Sequence, residues 1–160
     1  MTRAHVITVS DGAFHGRRED TSGAAVLKLL AANQFESEAP EVVPDEQGRI
    51  TAAIAAAATA GARLVVTTGG TGLGPRDVTP QATRAAIDYE VPGLAERMRR
   101  VGEASTPMAA ISRAMAGVRG TTLVINLPGS PKGALESLEA IFNLLAHVVE
   151  LASGRPVDHG

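Results

Sequence analysis

Arg63-Leu64-Val65-Val66-Thr67 runs without interruption into Thr68-Gly69-Gly70-Thr71-Gly72-Leu73-Gly74-Pro75-Arg76-Asp77, and Thr79-Pro80 follows after Val78. A short apolar, β-branched run bounded by Gly61 and a glycine cluster predicts a buried strand. Threonine followed by proline predicts an N-cap and a first helical position, so a helix should run from there to about Asp88. The stretch therefore reads as strand, glycine loop, helix.

The same alternation extends in both directions. His5-Val6-Ile7-Thr8-Val9 is a second buried strand, stopping in the turn Ser10-Asp11-Gly12. Asp20 or Thr21 is placed to cap a helix through about Asn33, with Val26, Leu27, Leu29 and Leu30 on its inner face. Glu38 to Val43 alternates weakly and stops at Pro44, and an alanine-rich helix should follow, ending at Gly61. Beyond the glycine loop, Pro92-Gly93 precedes a basic amphipathic helix from Leu94 to Val101, whereas Ser105 to Val118 carries no assignable pattern. Thr121 to Asn126 is a third buried strand, leading through Leu127-Pro128-Gly129-Ser130-Pro131-Lys132-Gly133 into a closing helix. In that helix Leu135, Leu138, Ile141, Phe142, Leu145, Val148 and Val149 recur at spacings of three and four.

Short, continuously apolar strands alternating with helices predict an α/β fold with a mostly parallel sheet covered on both faces. The 160 residues should form one domain. In a parallel sheet the carboxyl ends of the strands share one edge, with neighbours about 4.8 Å apart. Three loops should meet there: Ser10 to Gly12, Thr67 to Asp77, and Asn126 to Lys132.

Composition narrows the function classes. Fifteen basic against 17 acidic side chains leave a net charge of −2, so no global field attracts nucleic acid or acidic membranes. One tyrosine and three phenylalanines, with no tryptophan, are too few for the stacking platforms of single-strand nucleic-acid binders. The absence of cysteine excludes disulfides, thiolate metal sites and thiol nucleophiles. No apolar run approaches the roughly 20 residues of a bilayer span, and a soluble, unprocessed cytoplasmic protein is expected. His5, His15, His147 and His159 show no metal-ligand spacing, and neither Ser10 nor Ser130 has the context of a hydrolase nucleophile.

The glycine loop is where chemistry is expected. Gly69, Gly70, Gly72 and Gly74 let a ligand approach the main chain, and successive amides in such a loop form an anion-binding concavity that Thr68 and Thr71 can extend. The spacing matches neither a P-loop nor a dinucleotide fingerprint. Asp77 closes the loop, and a carboxylate there would repel a phosphate unless a cation intervened, for which Mg²⁺ is the hard, oxygen-seeking choice. Asp45 fits two roles, a helix N-cap or a second metal ligand. Ser130 and Lys132 open the closing helix, whose amino end favours anions, although Lys132 and Arg76 also suit a solvated surface. Asp20, Thr21, Ser22 and Gly23 fit ordinary capping of the first helix or a contact at the shared edge.

Val9-Ser10-Asp11, Val43-Pro44-Asp45-Glu46, the run from Thr67 to Gly72 continuing into Pro75-Arg76-Asp77-Val78-Thr79-Pro80, and Asn126 to Gly133 together resemble the molybdopterin adenylyltransferase family. That family includes bacterial Mog proteins and the G domains of gephyrin. The resemblance spans about residues 5 to 153, and the continuation through Arg76 to Pro80 favours this branch over the related MoaB branch. It implies a three-layer α/β/α fold, usually trimeric, that uses ATP and Mg²⁺ to place AMP on the terminal phosphate of molybdopterin. It implies that Asp45 and Asp77 are the catalytic and Mg²⁺-binding aspartates. It places Ser10, Thr68, Gly69, Gly70, Thr71, Gly72, Ser130 and Lys132 against molybdopterin, and Asp11, Asp20, Ser22, Gly23, Pro128 and Gly129 against the nucleotide. It further implies hand-over of the product to a molybdenum-insertion protein, since the chain has no room for a second domain of its own. The alternative is a non-catalytic pterin carrier of the same pathway.

Overall fold

The computed structural model describes residues 1–155; His159 lies outside them. Seven strands form the sheet: β1 (Thr2–Val9), β2 (Phe35–Glu36), β3 (Glu41–Val43), β4 (Leu64–Thr68), β5 (Tyr89–Glu90), β6 (Ala116–Arg119) and β7 (Thr122–Leu127). Their order is β2-β1-β4-β7-β6-β5, with β3 also pairing with β1. The helices are α1 (Asp11–Phe14), α2 (Thr21–Ala31), α3 (Gln47–Thr59), α4 (Thr79–Ala86), α5 (Pro92–Gly102) and α6 (Pro131–Ala152), with a 3₁₀ turn at Pro107–Ile111.

Side-chain alternation on doubly buried strands divides the core in two. Ala4 and Val6 of β1, Leu64 and Val66 of β4, and Leu123, Ile125 and Leu127 of β7 pack with Val26 and Leu30 of α2, Met98 of α5, and Leu138, Ile141 and Leu145 of α6. Ile7 and Val9, Val65, and Val124 point the other way, onto Ile50 and Ile54 of α3 and Ala82 and Ala86 of α4. Three layers result.

Strands β1, β3, β4 and β7 are mutually parallel, but β5 and β6 are antiparallel to their neighbours. This antiparallel edge occupies part of the stretch that carries no sequence pattern: Ser105 to Val118 becomes the 3₁₀ turn and most of β6. Helix α4 stops at Ala86 rather than Asp88 because Ile87 turns extended (ψ 156°) to feed β5.

Register fixes what emerges at the carboxyl edge. Thr8 lies opposite Thr68, and Thr68 opposite Leu127. Val9 lies opposite Val43. Ser10, Gly69, Pro128 and Pro44 therefore leave the sheet together. The edge gathers four loops rather than three, the fourth carrying Asp45. The chain reverses its direction of winding about β1, which lies between β3 and β4; such switch points open a crevice in α/β sheets.

Two capping expectations change. Thr79 is the first helical residue of α4, Val78 holds the N-cap position, and the Thr79 hydroxyl donates instead to the Gly69 carbonyl (2.9 Å). Helix α3 begins after Glu46, so Asp45 is not its cap. By contrast Asp20 caps α2 by accepting from the Gly23 N–H (2.8 Å), and Ser130 caps α6 by accepting from the Gly133 N–H (3.1 Å).

Candidate active site

The glycine loop is folded so that its carbonyls face the protein. Gly69 is held at φ +92° and Gly70 at +70°, a region costly to residues with a Cβ. The Gly69 carbonyl accepts from Thr79 Oγ1, the Gly70 carbonyl from the Thr79 N–H (3.1 Å), the Thr71 carbonyl from the Arg113 N–H (2.9 Å) and the Gly72 carbonyl from Arg113 Nε (2.8 Å). Among the described residues no protein acceptor meets the N–H groups of Gly70, Thr71 or Gly72. A loop with its acceptors satisfied and its donors unspent suits an anion.

Two carboxylates bound this loop. Asp77 Oδ2 accepts from the Gly74 N–H (2.9 Å), and a Cβ on Gly72 or Gly74 would stand 2.9 Å from that oxygen, so glycine at both positions makes room for it. Asp45 approaches from the far side, its Oδ1 3.3 Å from where a Cβ of Gly70 would be. It is fixed by a reciprocal pair with Asp11: the Asp11 N–H donates to Asp45 Oδ2 (2.8 Å) and the Asp45 N–H to Asp11 Oδ1 (3.0 Å). Arg76 then grips Asp11 with two bonds, from Nε and Nη2, each 3.0 Å. Bonding to Arg76 holds the Asp11 carboxyl below the usual carboxylate range. Asp45 is shifted upward, chiefly by burial and then by the charges of Asp11 and Asp77. The pocket thus holds excess negative charge that a cation would relieve.

A cleft of about 450 Å³ collects Ser10, Asp20, Ser22, Asp45, Thr68, Gly69, Gly70, Asp77, Gly129 and Ser130. Thr71, Gly72 and Pro128 line a neighbouring cavity of about 300 Å³ with Ser130, whose walls include Met98, Met108, Ile111 and Ser112. Ser130 is common to both. Asp11 lines neither cavity; it is bonded to Asp45, which lines the cleft, and to Arg76.

The nucleotide-side candidates near α2 serve the scaffold first. Asp20 also accepts from Thr8 Oγ1 (2.7 Å), and a Cβ on Gly23 would fall 2.3 Å from both groups, so glycine there is dictated by packing. Ser22 Oγ donates to the Gly129 carbonyl, tying α2 to the loop after β7. Lys132 is exposed, 3.9 Å from Glu136 one turn along α6, and borders neither cavity.

Arg113 and Thr79 are the anchors that sequence reading misses. Asn126 is a third: its amide bonds Thr67 and Thr83 hydroxyls (3.0 and 2.9 Å) and accepts the Met115 N–H (3.2 Å), joining β4, α4 and β7 beneath the site. Among the described residues no three histidines, aspartates or glutamates are grouped to hold a metal ion.

A family model described as "Probable molybdopterin binding domain" matches residues 5–147. A molybdopterin adenylyltransferase of Helicobacter pylori J99 is 40% identical over 153 residues, covering 93% of this chain and 86% of that protein. One from Escherichia coli K12 is 37% identical over 151 residues, 92% of this chain and 77% of that protein. The crystal structure of the molybdopterin biosynthesis enzyme MoaB from Thermus thermophilus superposes with a TM-score of 0.91 at 54% identity, covering 98% of this chain and 99% of that one.

Proposed function

Because this chain belongs to the molybdopterin-binding domain family, as the match over residues 5–147 shows, we propose that it transfers AMP from ATP to the terminal phosphate of molybdopterin. The observation that carries this reading is the convergence of Asp45 and Asp77 on a loop with unspent amide donors.

The nucleophile is a phosphate oxygen of the pterin substrate, a monoester with a second pKa of about 6 that is largely dianionic at neutral pH. It attacks the α-phosphorus of ATP, a phosphorus–oxygen bond forms, and the bond to the β-phosphate bridging oxygen breaks to release pyrophosphate. No general base is needed. The barrier lies in aligning two mutually repelling phosphates and stabilising the leaving charge. The amides of Gly70 to Gly72 hold one phosphate, Ser130 and the amino end of α6 border the same cleft, and Arg76 adds positive charge behind Asp45 through its pair with Asp11.

Two half-buried carboxylates that, among the described residues, pair with no lysine or arginine suit Mg²⁺, which keeps waters and shares its coordination with phosphates. Asp45 and Asp77 would hold that ion, and it would supply neutralisation of phosphate charge. The cavity beside Gly72, apolar on Met98, Met108 and Ile111, suits the pterin ring, leaving the cleft near Asp20 and Ser22 to the nucleotide. The same proposal includes a cytoplasmic homotrimer that passes its product to a metal-inserting protein. No helix among the described residues is long and apolar enough to cross a membrane.

A pure pterin carrier has little use for a carboxylate pair facing a phosphate loop. Pyrophosphate release, followed with purified protein, molybdopterin, ATP and Mg²⁺, separates the readings. Release that depends on both protein and pterin is expected; none above the protein-free control, with pterin bound, would overturn the enzyme reading.

A further inference from the structure

Arg113 contributes to the site without lining its cleft. Its main-chain N–H donates to Thr71, Nε to the Gly72 carbonyl, Nη2 to the Asp77 carbonyl (2.6 Å) and Nη1 to Gln81 Oε1 (3.3 Å). One half-buried side chain thereby grips both ends of the turn that carries Asp77, and ties that turn to α4. Among the described residues no carboxylate lies within 4.0 Å of its guanidinium; the four ion pairs all involve other residues. The positive charge is spent on neutral carbonyls immediately behind the anion loop.

We infer that Arg113 is a positioning residue for adenylyl transfer: it fixes the Asp77 carboxylate relative to the Gly70–Gly72 amides and adds uncompensated positive potential behind the bound phosphate. Three of its bonds require a planar fork with donors in fixed directions, which a lysine ammonium cannot reproduce. Among the described residues no other side chain joins Gly72 to Asp77, and the Thr79 contacts reach only Gly69 and Gly70. Displacement of a catalytic group by about 1 Å can cost about 100-fold in rate.

The inference rests on the proposed reaction, and its test is built to stand apart from it. Arg113→Ala and Arg113→Lys are compared with the parent for cooperative melting, for kcat and KM in AMP transfer, and for binding of inorganic pyrophosphate by calorimetry. The expected result is a kcat lowered about 10- to 100-fold in both variants with a smaller change in KM for ATP. Pyrophosphate affinity should fall, and low, non-denaturing guanidinium should restore part of the Arg113→Ala rate, which a merely structural defect would not allow. If Arg113→Ala does not fold, Arg113→Lys decides by the same readings. Parent-like kcat and pyrophosphate affinity in a folded variant overturn the inference. If the parent itself transfers no AMP, the proposed reaction fails, and the pyrophosphate comparison alone supports or overturns the role of Arg113.

Discussion

Replacing Gly69 by alanine tests the geometry of the site at its tightest point. A Cβ there would stand 2.3 Å from the Val9 carbonyl oxygen, an atom of the β1 backbone. Ordinary carbon–oxygen contacts begin near about 3.3 Å, so β1 and the loop must part by about 1 Å. Holding φ at +92° costs an L-residue about 1–2 kcal/mol, and the enforced shift adds about 1–3 kcal/mol. The expected loss is therefore about 2–5 kcal/mol. Gly16→Ala is the matched control, because Gly16 sits at φ +72° with nothing within 4 Å of its added Cβ, and it should lose only the conformational share, about 1–2 kcal/mol. Urea unfolding of parent and both variants measures the difference at constant slope. A Gly69→Ala protein that lost no more stability than Gly16→Ala would refute the close approach of loop and strand.

Asp45→Asn should be at least as stable as the parent at neutral pH, because burial and like charges raise the Asp45 pKa. A group whose folded pKa is raised binds its proton more tightly when folded, so the parent gains stability as pH falls through that pKa, and the gap between the two proteins should close. Asp11 has the opposite sign: its lowered pKa contributes stability present above about pH 4 and lost on further acidification, which Asp11→Asn should remove. Urea unfolding at several pH values reads both. Asn126→Ala strands two buried hydroxyls and a buried N–H, and should cost about 2–4 kcal/mol by the same method. Arg76→Ala removes the exposed cation paired with Asp11, and should lower the melting temperature only slightly and lose part of the Asp11 pH dependence, while lowering the AMP-transfer rate about tenfold.

The central strands were legible because His5 to Val9, Arg63 to Thr67 and Thr121 to Asn126 are apolar on both faces, the mark of a covered parallel sheet. The antiparallel edge was not: Tyr89-Glu90 is two residues long, and Ala116-Gly117-Val118-Arg119 shows no alternation. The glycine loop, and Asp77 at its close, were legible as a feature of the chain from residue order alone, while the role of Asp77 belongs to the proposed function. Asp45 was ambiguous between cap and ligand because only the fold reveals that its carboxylate turns to the Asp11 N–H. Thr79 failed as a cap because it is already the first helical residue, after Val78, and its hydroxyl donates back to the Gly69 carbonyl. Arg113 left no signal, since its partners are chiefly backbone carbonyls, which every residue possesses.

The most direct test of the account is mass-spectrometric detection of adenylylated molybdopterin formed from ATP and Mg²⁺ by the parent and by Asp77→Asn. The parent should convert the pterin to its adenylyl derivative, while the variant, folded and still binding pterin, should form at least about 100-fold less. Equal product from the two proteins would contradict the placement of Asp77 at the reacting phosphates.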